Sequence, residues 1–173
     1  MSEQATLRTA RFVLSMPVAA DVDAVFAACQ DAELQRFTTV PTPYEREHAE
    51  GFVLQIVPDW WRGDIEYVFG IRESDEAPLM GVVSWQRQRG FVGYWLGAEH
   101  RGRDVMTEAL TALVQWVFTH DDVDELRWEA VAGNIGSAIV AQRCGFRWDG
   151  IGRIDNVRPG QEDGGWRAVL TRA

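Results

Sequence analysis

Three strand-forming segments follow one another closely in the middle of the chain, and they restrict the fold more than any other feature. They cover residues 65–72, 79–86 and 91–96, and each is rich in β-branched and aromatic side chains. The turns SDEAP and RQRG that join them leave no room for a crossover helix, so neighbouring strands must run antiparallel. The sequence therefore predicts three antiparallel strands at the centre of a sheet.

An amphipathic helix follows the third of these strands. Over residues 105–119 the apolar side chains recur at the spacing of one helix face, and polar side chains occupy the other face. The expected buried stripe consists of Met106, Ala109, Leu110, Leu113 and Val117. The order of strand, loop and helix is typical of a fold in which the helix packs on the sheet.

Further elements are predicted on both sides of this central unit. Strand patterns cover residues 7–15, 126–131, 146–151 and 166–171, and helical patterns cover residues 19–30, 44–61 and 135–143, the second ending near Pro58. The fold class is α/β (α+β), a mixed and mostly antiparallel twisted sheet of about six to seven strands flanked by about four helices. No linker or repeat divides the chain, so a single domain over residues 1–173 is expected.

The composition argues against several kinds of partner. With 26 acidic and 17 basic residues the formal net charge is −9, and binding to nucleic acid or to an anionic membrane surface would need a basic face. Cys29 and Cys144 lie far apart and the histidines are dispersed, so neither a disulfide nor a metal site is predicted. No membrane-spanning run or secretory signal is found, and a cytoplasmic location is expected.

The loop before the amphipathic helix has the character of an anion site. Residues 97–104, GAEHRGRD, place His100, Arg101 and Arg103 around Gly102. The first four N–H groups of a helix have no intrahelical acceptor, and together with the helix dipole they favour a bound phosphate. Neither a Walker loop nor a GxGxxG dinucleotide motif is present. The sequence thus favours a phosphate-binding loop of another type, and a solvated surface is the alternative for Arg101 and Arg103.

Two segments carry a pattern known from one protein family. The first is GYWLGAEHRGRDVMTEAL, residues 93–110, in which Arg101 begins the motif Arg/Gln-x-x-Gly-x-Gly/Ala. The second is NIGSAIVAQRCGF, residues 134–146, with the pattern Asn-x-x-Ser followed by Gly-Phe. Both resemble motifs of the GNAT acetyltransferase superfamily, particularly its Rim-type branch of ribosomal-protein N-acetyltransferases. The resemblance implies the GNAT fold, with a splay between the strands 91–97 and 126–131.

The resemblance also implies a cofactor, acetyl-CoA, and its contacts. The pyrophosphate would rest on backbone amides of the loop and helix start, and the pantetheine arm would pair with the main chain of Trp95 and Gly97. A backbone amide near Leu96 would support the oxyanion. The implied cofactor-binding residues are Trp95, Leu96, Gly97, Arg101, Gly102, Arg103, Asp104, Val105, Met106, Thr107, Asn134 and Ser137.

Asp104 departs from the family pattern, which usually has glycine at this place. An aspartate is a good helix N-cap, and its carboxylate would then occupy the amides that a phosphate needs. Three interpretations stay open. The side chain turns outward to Arg101 or Arg103, or it weakens CoA binding, or the domain has lost CoA and binds another ligand.

The resemblance points to Ser137 as the donor of a hydrogen bond or proton to the CoA sulfur. Asn134 would bind pantetheine or the strand end, although Asn134 and Ser137 also form a good helix cap without any ligand. Glu129 is the implied catalytic base and Glu66 is its rival, and a surface charge is the alternative for each. Because an α-amino group has a pKa of about 8, a weak base suffices.

The predicted function is acetyl transfer from acetyl-CoA to a primary amine, on a peptide or protein N-terminus or on a small molecule, by direct attack. Tyr44, Trp60 and Trp61 are expected to line the acceptor pocket or, alternatively, to lie in the core. A non-catalytic acyl-CoA-binding or ligand-binding module is the rival function, because of Asp104. A resistance-type enzyme acting on an amine antibiotic, or one using a larger acyl-CoA, is a third. A homodimer is considered, without evidence from the sequence.

Overall fold

The computed structural model describes residues 4–173, and one eight-stranded sheet runs through them. The strands are β1 Leu7–Arg8, β2 Val13–Ser15, β3 Tyr67–Arg72, β4 Gly81–Gln86, β5 Phe91–Leu96, β6 Glu125–Ala130, β7 Arg147–Gly152 and β8 Gly165–Thr171. Their order across the sheet is β1-β2-β3-β4-β5-β6-β8-β7. Neighbours pair antiparallel except β5 and β6, so the mixed, mostly antiparallel sheet is confirmed.

Residues 7–15 form a hairpin instead of the one strand predicted, which brings the sheet to eight strands. The N–H of Phe12 donates to the hydroxyl oxygen of Thr9 at 2.9 Å, and the N–H of Thr9 donates to the carbonyl oxygen of Phe12 at 2.9 Å. These two bonds close a tight turn, after which Leu14 pairs with Leu7. A threonine side chain that bonds to nearby backbone is a turn former, and this outweighs the strand propensity of the segment.

Residues 4–173 contain six α-helices, where about four are predicted. They are α1 Val22–Ala28, α2 Ala32–Phe37, α3 Arg46–Gly51, α4 Val57–Arg62, α5 Val105–His120 and α6 Ile135–Arg143. A π-helical turn, Phe52–Ile56, joins α3 to α4, and 3-10 turns at Ala19–Asp21 and Ala98–His100 precede α1 and α5. The higher count arises because the predicted segment 44–61 is divided by the π turn and because α2 is additional.

Two local signals explain the differences in the helices. The side chain of Asp31 accepts a hydrogen bond from the N–H of Leu34 at 2.9 Å, and this N-cap begins α2, which the sequence analysis does not predict. Pro58 does not end the preceding helical region as predicted. It lies in the first turn of α4, where the missing N–H of a proline removes no helical bond.

Helix α5 forms the centre of the core. The five side chains of the predicted stripe are at most 5% exposed, so this prediction is confirmed. The ring of Trp116 on α5 lies edge-on to the rings of Tyr67 and Phe69 on β3, with centroids 5.4 Å apart in both pairs. Helix α5 therefore holds a fixed position on the sheet, and its N-terminus is fixed with it.

Two aromatic residues considered for an acceptor pocket belong to this core. Tyr44 is 5% exposed and Trp61 is 3% exposed. The indole N–H of Trp61 donates to the carbonyl oxygen of Val68 at 3.0 Å, which satisfies its polar atom inside the core. Both residues therefore belong to the packed core, as the core alternative expects.

The sheet opens between β5 and β6. Strand β5 pairs with β4 at six positions and β6 pairs with β8 at six positions, but β5 and β6 share only the pair Phe91 and Arg127. The N–H of Arg127 donates to the carbonyl oxygen of Gly90 at 2.9 Å at this end of the strands. Beyond that point the two strands separate, and the predicted splay is confirmed.

A buried ion pair ties the start of α1 to β3. Asp21 and Arg72 have side chains that are each 4% exposed, and the guanidinium donates two bonds to the carboxylate, at 2.6 and 2.8 Å. The same carboxylate accepts the N–H of Val18 at 2.8 Å.

No helix within residues 4–173 has both the length and the apolar character needed to cross a membrane.

Candidate active site

A cavity of about 380 Å³ occupies the splay and extends to the N-terminus of α5. We call it the splay cavity; its walls come from α2, the end of β5, the loop 97–104 with the first turn of α5, and α6. Ten of the predicted site residues line it: Trp95, Leu96, Arg101, Gly102, Asp104, Val105, Met106, Thr107, Asn134 and Ser137. Gly97, Arg103 and Glu129 are not among the lining residues.

The backbone at the start of α5 presents free donors to this cavity. The first helical bond of α5 is donated by the N–H of Glu108 to the carbonyl oxygen of Asp104, at 3.1 Å. Within residues 4–173, no acceptor is bonded to the N–H groups of Val105, Met106 and Thr107. Unpaired donors at a helix N-terminus are a strong attraction for an anion.

The preceding loop bends through two left-handed residues. Gly102 has φ of 76° and Asp104 has φ of 56°. Glycine adopts this conformation without strain, which gives a physical reason for the family's usual glycine at the place of Asp104. Aspartate is one of the few other residues that tolerate it, because its short side chain can bond locally.

The carboxylate of Asp104 does not cap the helix. It makes no bond to the amides of α5, and its Oδ1 accepts instead from Nη1 of Arg143 at 2.5 Å. The outward orientation considered in the sequence analysis is therefore present, but the partner is Arg143 at the end of α6, not Arg101 or Arg103. Because the carboxylate turns away, the three amides stay accessible.

Arg101 ties the loop to α2. Its guanidinium donates to Asp31 at 2.7 Å, to Glu33 at 2.8 Å and to the carbonyl oxygen of Leu96 at 3.2 Å. Burial by itself would raise the pKa of Asp31, but the bonds from Arg101 and from the N–H of Leu34 outweigh it and hold that pKa below its usual range. The side chain of Arg101 therefore acts as a brace for the loop.

Arg103 points away from the splay cavity. Its Nη2 lies 3.0 Å from Nδ1 of His100, and its carbonyl oxygen accepts from the guanidinium of Arg11 at 3.1 Å. Since an arginine only donates, Nδ1 of His100 acts as the acceptor in this bond. These contacts fix the outer side of the loop and leave the side chain of Arg103 outside the predicted cofactor site.

The main chain of Gly97 is fully engaged inside the protein. Its N–H donates to the carbonyl oxygen of Met80 at 2.9 Å, and its carbonyl oxygen accepts from the N–H of His100 at 3.0 Å. The peptide groups of an antiparallel strand face its two neighbours alternately, so Trp95 likewise faces β4. The sequence analysis expects a ligand to pair with the main chains of these two residues. Their main chains face β4 instead, so they are not placed for that pairing.

The main chains of Tyr94 and Leu96 face the splay instead. This follows from the same alternation, and the bond from Arg101 to the carbonyl oxygen of Leu96 agrees with it. A chain-like ligand in the splay would pair with these two residues. A backbone amide near Leu96 is expected to support the oxyanion, and the N–H of Leu96 itself faces the splay.

Ser137 lies in the first turn of α6 and is held by three bonds. Its N–H donates to the side-chain oxygen of Asn134 at 3.4 Å, so the predicted cap is present. Its carbonyl oxygen accepts from the hydroxyl of Tyr94 at 2.7 Å, and its Oγ accepts from the indole N–H of Trp128 at 3.0 Å. Because the indole occupies a lone pair of Oγ, the hydroxyl proton of Ser137 is free to point elsewhere.

Sequence reasoning missed Tyr94 as part of this site. Tyr94 lines the splay cavity, and burial raises the pKa of its phenol, so the group acts as a neutral donor. A tyrosine in a strand is an ordinary core residue by pattern, and the sequence contains no signal that joins it to Ser137. The contact arises only because β5 and α6 lie side by side across the splay.

The two acidic candidates lie away from Ser137. Trp128 contacts Ser137, so its neighbour Glu129 faces the opposite side of the sheet. Oε2 of Glu129 accepts the N–H of Asp155 at 3.0 Å. Burial raises the pKa of Glu66, and a bond from Ser84 and the charge of Arg89 oppose that rise only in part. The surroundings of Glu66 therefore favour the protonated form of its carboxyl.

Curated relatives match part of the chain. The Bacillus subtilis protein YjcK is 35% identical over 96 residues, which are 52% of this chain and 53% of the relative. The [ribosomal protein uS5]-alanine N-acetyltransferase of Escherichia coli is 26% identical over 125 residues, 68% of this chain and 62% of the relative. The matched regions thus span less than two thirds of these relatives' lengths.

Solved structures with the same fold match almost the whole chain. RimL, the ribosomal L7/L12 α-N-protein acetyltransferase in complex with CoA, has a TM-score of 0.82 at 18% identity, covering 96% of this chain and 98% of its own. The microcin C7 self-immunity acetyltransferase MccE in complex with acetyl-CoA and AMP has a TM-score of 0.81 at 17% identity, covering 95% and 94%. At such identities the likeness establishes the fold.

The family assignment comes from a sequence model. The model of the acetyltransferase (GNAT) domain matches residues 11–147, which include both segments that carry the resemblance. The match covers well over half of the chain, and the Escherichia coli relative named as a ribosomal-protein acetyltransferase supports the Rim-type branch. This chain belongs to the GNAT acetyltransferase domain family.

Proposed function

We propose that the protein is an N-acetyltransferase that moves the acetyl group of acetyl-CoA to a primary amine. The observation that carries the proposal is the splay cavity, which joins three unpaired amides at the start of α5 to the hydroxyl of Ser137. An elongated molecule with a diphosphate at one end and a sulfur at the other matches this donor set. The amides of Val105, Met106 and Thr107 would hold the diphosphate.

The residues of the chain supply the remaining steps of a direct transfer. Acetyl-CoA provides a thioester whose carbonyl carbon is open to attack by an amine. The N–H of Leu96 would support the negative charge on the carbonyl oxygen, since it faces the splay. Ser137 would donate a hydrogen bond to the departing thiolate, because Trp128 leaves its hydroxyl proton free, and the thiolate would then take up a proton from water.

The amine would lose its proton on the face of the sheet opposite Ser137. We place Glu129 in the role of base, with Glu66 as the rival, because Glu129 lies on β6 at the edge of the splay, on the face opposite Ser137. An α-amine with a pKa of about 8 needs little assistance at neutral pH. We therefore expect loss of the correct carboxylate to matter most below pH 7, where more of the amine is protonated.

The acceptor we propose is the N-terminal amine of a protein or peptide. The relatives with ribosomal-protein names support this class, and a chain with a net charge of −9 attracts cationic substrates. The rival function of a non-catalytic binding module rested on the carboxylate of Asp104 lying in the anion site. That carboxylate contacts Arg143, so the observation no longer favours the rival.

The test is release of free thiol from acetyl-CoA in the presence of a panel of amines, with mass spectrometry of the products. We expect acetylated peptide N-termini and a kcat about a hundredfold lower for Ser137→Ala, with little change in the affinity for CoA. Ser74→Ala, in the exposed turn after β3, is the matched control. Acetylation of small amines alone would change the acceptor class, and absence of product with every amine would refute the proposal.

A further inference from the structure

The pair formed by Arg143 and Asp104 stands at the mouth of the splay cavity. Arg143 is the last residue of α6, and both residues line the cavity. Both also line an open groove of about 530 Å³ on the outer side of α5. The side chains are 57% and 65% exposed, respectively. An anion that reaches the start of α5 from either side therefore passes beside this pair.

Arg143 is the available cation at this mouth. Arg101 also lines the cavity, but its guanidinium is held by two carboxylates and a carbonyl oxygen. Arg103 lies outside the cavity and contacts His100. Among residues 4–173, Asp104 is the single partner bonded to the side chain of Arg143. Exposed pairs of this kind contribute little to stability, and a guanidinium has five N–H donors, so Arg143 can bond to a second anion while it stays beside the carboxylate.

A diphosphate is such an anion. The planar guanidinium donates parallel bonds to phosphate oxygens, and these are among the strongest hydrogen bonds that side chains make. The bond to Asp104 holds the guanidinium of Arg143 beside the start of α5, because the carbonyl oxygen of Asp104 accepts the first helical bond. Without Arg143, the charge of Asp104 would lie unopposed next to the unpaired amides and would repel a phosphate.

We propose that Arg143 binds the diphosphate of CoA and neutralises Asp104, which explains how the loop accepts a carboxylate at its glycine position. The inference rests on the proposed function, because it assumes that CoA is the ligand. Arg143 thereby supplies the cationic part of the site, and the amides of α5 supply the neutral part. Arg101, the residue that the motif would suggest for this role, serves the loop instead.

The first test is calorimetry of CoA binding to the wild type, Arg143→Ala and Arg143→Lys. We expect about a tenfold or larger increase in Kd for alanine, since a hydrogen bond to a charged group is lost, and a smaller increase for lysine, which cannot donate in parallel. Arg147→Ala is the matched control: it removes the same charge four positions further on, at the exposed start of β7. If Arg147→Ala raises Kd as much as Arg143→Ala does, Arg143 acts only through its charge at a distance, and the proposal is overturned.

The second test uses dephospho-CoA, which retains the diphosphate and lacks the 3′-phosphate. The proposal predicts the same loss for Arg143→Ala with both ligands. If the loss disappears with dephospho-CoA, Arg143 binds the 3′-phosphate and the assignment is wrong. Absence of CoA binding by the wild type would refute the proposed function itself, whereas binding by wild type and Arg143→Ala with equal Kd refutes only this inference.

A double-mutant cycle isolates the contact with Asp104. Asp104→Asn retains a side chain that tolerates the left-handed conformation and removes the charge. We expect it to lower Kd more in the Arg143→Ala background than in the wild type, because only there is the carboxylate unopposed. Equal changes in the two backgrounds would contradict the neutralising role. Circular dichroism of each variant establishes that it is folded.

Discussion

Two aspartate–arginine pairs of this protein have the same chemistry and opposite surroundings. Asp21 and Arg72 are each 4% exposed and share two bonds, whereas Asp104 and Arg143 are 65% and 57% exposed and share one. Removing one partner of the first pair leaves a charge in the interior, but removing one partner of the second leaves a charge in water. The first pair therefore belongs to the fold, and the second is free to take part in ligand binding.

A third pair lies between these extremes. Arg101 is 34% exposed and Asp31 is 25% exposed, and together they join the loop 97–104 to α2. Three pairs of the same two residue types thus form a series in burial. The series predicts that the effect of a substitution on stability falls from the buried pair through the intermediate pair to the exposed pair, while the effect on ligand binding is largest at the exposed pair.

The largest expected effect on stability is at the buried pair. Asp21→Ala should lower the free energy of unfolding by about 3–5 kcal/mol, because the guanidinium of Arg72 is left buried without its partner. Urea denaturation measures the loss, and Asp104→Asn, which retains a side chain that tolerates the left-handed backbone, is the control. If the two substitutions destabilise the protein equally, burial does not separate the two pairs and the comparison fails.

The intermediate pair should give an intermediate, pH-dependent effect. Asp31→Asn retains a cap for α2 and removes the charge, so we expect a loss of about 1 kcal/mol at pH 7. The pKa of Asp31 lies below its usual range when folded, so the contribution is present above the unfolded pKa of about 3.9. It should shrink as the pH falls below that value and through the folded pKa. Denaturation midpoints at pH 7 and pH 3 measure it, and a loss independent of pH would contradict the ionic origin.

A smaller effect on stability, of opposite sign, is expected at Glu66. This carboxyl is partly buried, and among residues 4–173 no arginine is bonded to it in the way that Arg72 is bonded to Asp21. Burial raises its pKa, so the folded state retains the proton after the unfolded state has released it, and stability falls as the pH rises above about 4.3. Glu66→Gln should therefore stabilise the protein at pH 8 and leave it unchanged at pH 3.5. Glu76→Gln, exposed in the turn after β3, is the control that should be neutral at both pH values.

The smallest effect on stability is expected at the exposed pair. Asp104→Ala and Arg143→Ala should each change the free energy of unfolding by less than about 1 kcal/mol, since water solvates the remaining charge. Alanine at position 104 also tolerates the left-handed backbone poorly, so Asp104→Asn is the cleaner variant. A loss for Arg143→Ala as large as that for Asp21→Ala would assign this pair to the fold and remove it from the site.

Local patterns in the sequence are sufficient for the central part of the fold. The short turns between residues 65 and 96 determine how β3, β4 and β5 pair, and the stripe on residues 105–119 determines which face of α5 is buried. The splay follows from the family motifs. Each of these features is encoded within a short stretch of chain or within a motif that is known from the family.

The contacts that decide the chemistry join residues far apart in sequence. Arg143 is 39 positions from Asp104, and Tyr94 is 43 positions from Ser137. The sequence suggests a nearby arginine as the partner of Asp104. Arg101, however, donates to Asp31 and Glu33 at the start of α2, a short helix that the sequence pattern does not reveal. The direction of the main chain on β5 likewise depends on its pairing with β4, which is known only once the register is known.

The most direct test of the account follows the backbone amides while CoA is added to the wild-type protein. In a titration observed by ¹⁵N nuclear magnetic resonance, the account predicts saturable shifts that are largest for the amides of residues 102–107, with smaller shifts at Tyr94 and Leu96. Saturation by CoA that leaves the amides of residues 102–107 unmoved, or no shift at millimolar CoA, would contradict the claim that the start of α5 holds the diphosphate.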